Sequence, residues 1–157
     1  MLALNEEVVH HLAPMDEAEY RWFLAEAAGA WAAEVDGELA AFVLLMAPGS
    51  SYESRNYAWF QERYDDFLYL DRVAVQAHHR RTGVGSAVYE AVEAEAARRG
   101  VPVLLEVNVV PRNDPSLAFH DARGYLEVGQ LEHPGGKVTS MRCRPTTTAT
   151  TATTAPS

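Results

Sequence analysis

Apolar positions along the chain change period several times, and each change marks an element. Leu4 to Leu12 carries the spacing of a short helix that Pro14 closes. From Asp16 to Ala28, Tyr20, Phe23, Leu24 and Ala27 line one helical face, acidic residues crowd the first turn, and Gly29 stands where the helix should stop. The period then shortens. Trp31 to Val35 and Glu38 to Ala47 flank Asp36-Gly37, a pair that supplies the positive φ angles of a tight primed turn, so a β-hairpin is expected. Its second arm is almost wholly apolar, which predicts an interior strand.

Pro48 to Asp66 has no clean strand period and mixes Tyr52, Tyr57, Trp59, Phe60 and Tyr64 with charges. Long connections in compact domains are functional or disordered, and this many aromatics argue against disorder. The segment reads as a partly helical lid over a site, or as a surface flap packed by its own rings. Trp22, on the preceding helix, faces the same choice between core and cleft.

Alternation along Phe67 to Val75 puts Tyr69, Asp71, Val73 and Val75 on one face and Leu70 and Ala74 on the other. Val84, Val88, Ala91 and Val92 then recur at helical spacing, in a helix that runs to about Arg99 and ends on Gly100. Val103 to Val109 is a near-continuous apolar run, a strand buried on both faces that carries Glu106 and Asn108. Asp114 reads as the N-cap of a short helix with Pro115 at its first position and Gly124 at its end. Tyr125 to Gln130 and Lys137 to Arg142, around Pro134-Gly135-Gly136, form a last hairpin. No internal repeat is present.

Composition bounds this picture. The 157 residues fit one α/β domain over 1–144, a mixed sheet flanked by helices, with a disordered Thr/Ala-rich tail over 145–157. A chain of this length buries roughly two-thirds of its unfolded surface in a single core. The formal charge of −9 argues against nucleic acid or anionic membrane as a partner, since both attach through clustered Lys and Arg. It suits a cationic amine, although acidity also serves solubility. Cys143 is the only cysteine, so no internal disulfide forms, and no Cys or His spacing points to a metal. The acidic start is unlike a signal peptide and the longest apolar run, Leu39 to Pro48, is far short of a membrane span, so a soluble cytoplasmic protein is expected.

One junction stands out chemically. The strand ending in Val73-Ala74-Val75 runs into Gln76-Ala-His-His-Arg80-Arg81-Thr82-Gly83-Val84-Gly85-Ser86, where the next helix begins. The first N–H groups of a helix have no carbonyl partner, and the helix dipole favours negative charge in front of them. Glycines let a bulky anion approach the backbone, and Arg80 and Arg81 add charge, so a pyrophosphate fits there. A Walker loop is excluded because the only lysine is Lys137. A dinucleotide fingerprint fits poorly, because Val88 stands where its third glycine belongs.

Arg80-x-x-Gly83-x-Gly85 after a Val-Ala-Val strand resembles the acetyl-CoA loop of the GCN5-related N-acetyltransferase (GNAT) superfamily. Asn113-Asp-Pro-Ser-Leu-Ala-Phe119-His120-Asp-Ala-Arg-Gly124-Tyr125 is similar to that superfamily's second motif, and the two together span roughly residues 67 to 130. The resemblance implies a GNAT-like fold, a mixed central sheet of six to seven strands flanked by helices. It implies acetyl-CoA as cosubstrate, no metal, and a small-molecule or peptide amine as acceptor. By the same likeness, the backbone of Val73, Ala74 and Val75 pairs with the pantetheine arm beside a bulge that splays this strand from the next. Arg80, Arg81, Thr82, Gly83, Val84, Gly85 and Ser86 hold the pyrophosphate, and Asn113 and Ser116 contact the arm. Many relatives of this kind pair as dimers, which leaves a homodimer open.

Acyl transfer to an amine needs that amine neutral, and an aliphatic ammonium has a pKa near 10.4, so a base or a water relay must remove its proton. Asp71 and Glu106 are candidates, because family members often use a strand carboxylate. Their structural alternatives are an ion pair with a nearby arginine for Asp71 and an inter-strand hydrogen bond for Glu106. His120 stands where the family usually has a tyrosine that protonates the departing thiolate. Imidazole can do the same, or His120 is a solvated helix residue. Asn113 has helix capping as its alternative, and Phe119 reads as core. Because Cys143 lies outside both motifs, direct transfer in a ternary complex is expected rather than thiol exchange. The rival reading is a coenzyme-binding regulatory or partner-docking protein that has lost turnover, motivated by the tyrosine-to-histidine change.

Overall fold

A computed structural model of the chain describes Ala18, residues 27–76, His79 and residues 82–146. Six strands and three helices lie among them: β1 (Gly29–Val35), β2 (Glu38–Met46), α1 (Arg55–Gln61), β3 (Leu68–Val75), α2 (Val84–Arg99), β4 (Val103–Val110), α3 (Asp114–Ala122), β5 (Leu126–Glu132) and β6 (Val138–Arg144). They build one mixed sheet in the order β1-β2-β3-β4-β6-β5. Only the β3–β4 pair is parallel, joined through α2, and every other pair is antiparallel.

The hairpin forms where Asp36-Gly37 sits, with φ of 51° and 78°, the left-handed values a primed turn requires. β2 is buried from Ala40 to Met46, as its unbroken apolar run demands of an interior strand. Two cores result. On one face Phe42, Leu44, Tyr69, Leu104 and Met141 meet Tyr57 and Phe60 from the 48–66 segment. On the other Val43, Leu70, Val103, Leu105 and Val107 meet Val88, Val92 and Ala96 of α2 and Leu117 of α3. Cys143 is buried in the first core. Among the described residues no helix is long and apolar enough to cross a membrane.

Four details differ from the sequence reading. Ala27 and Ala28 are not helical, and Gly29 opens β1 instead of closing a helix. The strict alternation expected along β3 fails. Val73 and Val75 join Leu70 on the α2 face, while Ala74 joins Tyr69 on the other, because one extra residue interrupts the period of two. α3 is capped one residue earlier than expected: Asn113 is the N-cap, its Oδ1 accepting from Ser116 N at 3.2 Å, so Asp114 opens the helix. Each strand of the last hairpin starts one residue later and ends two residues later than expected, at Leu126–Glu132 and Val138–Arg144. The Leu4–Leu12 helix, most of the Asp16–Ala28 helix, Trp22, Arg80, Arg81 and the tail beyond Thr146 lie outside the described residues.

Candidate active site

β3 and β4 share two register positions, Leu68 with Val103 and Tyr69 with Leu104, and then part. The parting coincides with the irregularity in β3. Against β2, Leu44 faces Arg72 and Leu45 faces Leu70, which leaves Asp71 as the extra residue of a bulge. A bulge bends its strand and strengthens the local twist, so the second half of β3 swings away from β4. The gap is a cleft of about 350 Å³. Tyr69 enters it from the first core, and Leu70, Val73, Tyr89, Leu105 and Val107 from the second, so the opening runs through the sheet.

Two carboxylates stand in the gap. Asp71 Oδ1 accepts from Tyr52 Oη at 2.5 Å, while Oδ2 is buried without a hydrogen bond and lies 3.5 Å from Arg72 Nε. Glu106 Oε1 accepts from Tyr69 Oη at 2.7 Å. Both structural alternatives raised from sequence are therefore present, and they coexist with exposure to one cavity. Burial pushes the Glu106 carboxyl from 4.5 up to about 8, opposed by the Tyr69 hydrogen bond and by Lys137, and reinforced by the charge of Asp71. Burial also raises Asp71, against the lowering pull of Tyr52 and Arg72. Tyr69 and Tyr52 are both pushed up, by burial first, so they remain protonated donors.

Across the sheet lies His120, buried rather than solvated. Its Nδ1 is 2.7 Å from the Ser116 carbonyl, which can only accept, so Nδ1 carries the proton and Nε2 accepts from Tyr89 Oη at 2.8 Å. Burial lowers the His120 pKa and keeps the ring neutral. Phe119 packs edge-on against Tyr89 at the margin of the second core.

Among the described residues nothing covers the mouth of α2. Gly83 is its N-cap with φ of 89°, a left-handed value, and no side chain caps the helix. The ladder starts with Ala87 N donating to Gly83 O at 3.0 Å, so the amides of Val84, Gly85 and Ser86 precede it. Among the described residues, a Cβ built on Gly83 or Gly85 meets nothing within 4 Å. The Thr82 hydroxyl donates to the His79 carbonyl. Val73, Ala74 and Val75 are registered to Val43, Phe42 and Ala41 of β2, beyond the point where register with β4 stops.

The cleft thus gathers Asp71, Val73, Glu106, Asn113, Ser116 and His120. Among the described residues, Ala74, Val75 and residues 82–86 do not line it. Sequence reasoning missed Tyr52, Tyr69 and Tyr89. Tyr69 could have been found from its place two residues before Asp71 on a strand. Tyr52 and Tyr89 have no such marker, because only the fold brings them to Asp71 and His120.

A sequence profile of the acetyltransferase (GNAT) family matches residues 2–125. The chain is 32% identical over 106 residues to phosphinothricin N-acetyltransferase of Streptomyces viridochromogenes, covering 67% of this chain and 51% of that protein. It therefore spans about half the length of that relative. The ribosomal-protein-S18-alanine N-acetyltransferase of Escherichia coli has the same fold, with a TM-score of 0.69 at 21% identity over 92% of this chain and 85% of that one. Naa20 of Chaetomium thermophilum, solved with a bisubstrate analogue, gives 0.71 at 18% identity over 92% and 82%. At those identities the likeness speaks for the fold. Together with a profile match across most of the chain, it means that this protein belongs to the acetyltransferase (GNAT) family.

Proposed function

We propose that this chain transfers an acetyl group from acetyl-CoA to a primary amine by direct attack in a ternary complex. The parting of β3 from β4 after Tyr69 and Leu104, with Asp71 and Glu106 in the gap, carries this reading. Acetyl-CoA supplies the acetyl carbon as a thioester. The open amides of Val84, Gly85 and Ser86 suit its pyrophosphate, with Arg80, Arg81 and Thr82 beside them in sequence. The backbone of Val73, Ala74 and Val75, with Asn113 and Ser116, suits the arm. Relatives named for phosphinothricin and for the alanine of ribosomal protein S18 support an amine as acceptor.

The chain's own groups divide the chemistry by face. Asp71 lines the cleft that the incoming ammonium enters, and Glu106, held near 8, is matched to take its proton close to neutral pH. Glu106 takes that proton first; the neutral nitrogen then forms the N–C bond as the C–S bond breaks, and the second N–H proton goes to the departing thiolate. A thiol of pKa about 8.5 leaves without much assistance. His120 is neutral and engaged at both nitrogens, so it orients Tyr89 on the coenzyme side instead of donating a proton itself. Cys143 is buried and its thiol is pushed up by burial, the reverse of an activated nucleophile, which supports direct transfer.

Thermal melts with acetyl-CoA, paired with a free-thiol assay over amines, amino acids and peptide N-termini, test the proposal. A rise in Tm that Arg80→Glu/Arg81→Glu abolishes, with thiol release for at least one amine, is expected. A rise with no release from any amine would favour the binding-only alternative, and no rise would refute both.

A further inference from the structure

We propose that the acceptor carries an oxyanion, a carboxylate or a phosphorus oxyacid, a short distance from its amine, and that Lys137, Asn56 and Ser54 seat that group. This deepens the amine-acetylation reading and rests on it. The chain has a formal charge of −9 and a single lysine, yet that lysine lines the cleft that holds the two carboxylates. Lys137 lines it together with Ser54, Asn56 and Thr139, and its charge reaches Glu106. Arg55, next to Asn56 in sequence, donates Nη2–H to the Glu132 carbonyl at 2.9 Å and ties the start of α1 to β5.

Ser54, Asn56 and Thr139 are donors as well. Thr139 Oγ1 donates to Asn56 Oδ1 at 3.1 Å and lies 3.0 Å from His133 Nε2. With its oxygen so engaged, Asn56 offers the cleft its amide N–H groups. Ser54 Oγ accepts from Tyr57 N at 3.2 Å, which leaves its hydroxyl proton to give. Two neutral donors and an ammonium around one opening match a carboxylate or a phosphonate, and they offer a second cationic group only repulsion. At the inner end, Asp71 and Glu106 claim the amine. A zwitterion spans the two ends, whereas a diamine satisfies only one.

The test compares matched pairs by thiol release: glycine and β-alanine against their amides, and 3-aminopropylphosphonate against 3-aminopropanol. Binding of the same compounds to the coenzyme A complex is followed by calorimetry. The acid-bearing member should be favoured at least tenfold in kcat/KM. Lys137→Met and Asn56→Ala should each erode that preference, and Lys137→Glu should reverse it in favour of diamines. Thiol release with equal kcat/KM for acid and amide, or a preference unchanged in Lys137→Met, would overturn the proposal and leave amine acetylation standing. If no amine releases thiol, binding decides: aminopropylphosphonate bound tightly by the unmutated protein and weakly by Lys137→Met keeps the anion seat and refutes the acetylation reading, and no binding refutes both.

Discussion

A side chain at Gly129 and the indole of Trp59 compete for the same space: a Cβ built on Gly129 comes within 2.5 Å of Trp59 Cζ2 and 2.8 Å of Cη2. Gly129 follows the register shift of β5, and Trp59 lies in α1, so the edge strand is the seat of the 48–66 segment. Arg63 stacks its guanidinium 3.9 Å from the Trp59 ring, holding the indole in place. Gly129→Ala should cost about 1–3 kcal/mol through overpacking. By displacing α1 and with it Tyr52, it should raise KM for the amine while leaving the acetyl-CoA melting shift intact. An unchanged KM would separate the position of the 48–66 segment from acceptor binding.

Glu106 holds its proton to about pH 8 in the folded chain, against an ordinary value of 4.5. A carboxyl raised in this way stabilises the fold fully below the unfolded value, and that contribution drains away as pH climbs through 8, by up to about 1.4 kcal/mol per unit. Denaturant melts from pH 5 to 9 should show the decline, and Glu106→Gln should flatten it. Turnover should rise over the same interval as the carboxylate appears. Tyr69→Phe removes a hydrogen bond that favours the ionised form, so the rising limb should move to higher pH. A limb that stays put in Glu106→Gln would take this residue out of the proton path.

Tyr89 and His120 form a buried pair inside a box with Phe119 and Tyr125. Removing either partner leaves a buried polar group unsatisfied, at a cost of about 1–3 kcal/mol. The double replacement Tyr89→Phe/His120→Phe should therefore cost less than the two single losses added together, by about 1 kcal/mol in a double-mutant cycle. Strict additivity would mean that the bond contributes nothing. The lowered pKa of His120 adds a pH signature: the fold is favoured above the ordinary value of 6.5 and weakened as pH falls below it, and His120→Phe should reduce that acid sensitivity.

The two glycines of the α2 mouth should behave differently. Gly83 has φ of 89°, so Gly83→Ala should cost about 1–2 kcal/mol of stability from backbone strain alone. Gly85 has open space around its Cα, so Gly85→Glu should fold within about 1 kcal/mol of the parent, by helix propensity. It puts a carboxylate where an anion belongs, and the acetyl-CoA melting shift should vanish. A shift that survives in Gly85→Glu would move the pyrophosphate away from this helix.

Local signals explain what was legible beforehand. Asp36-Gly37 dictates its turn from two residues, and the apolar runs of β2 and β4 dictate burial without reference to anything distant. The β3 bulge is invisible in composition, because Asp71 looks like any polar residue in an alternating strand until the register against Leu44 and Leu45 is known. His120 illustrates the other limit. Its place on α3 follows from the sequence, yet its protonation state depends on Ser116 one turn back and on Tyr89 from another helix. Asp114 and Asn113 are both good caps, and only geometry decides between them.

The cleft between β3 and β4 is lined from both faces of the sheet, so on the proposed reaction the coenzyme enters beneath α2 and α3 and the amine beneath the 48–66 segment. Neither has to leave before its counterpart arrives. Initial-rate plots for the two substrates should then intersect rather than run parallel, and each product should inhibit competitively only against the reactant that shares its entrance.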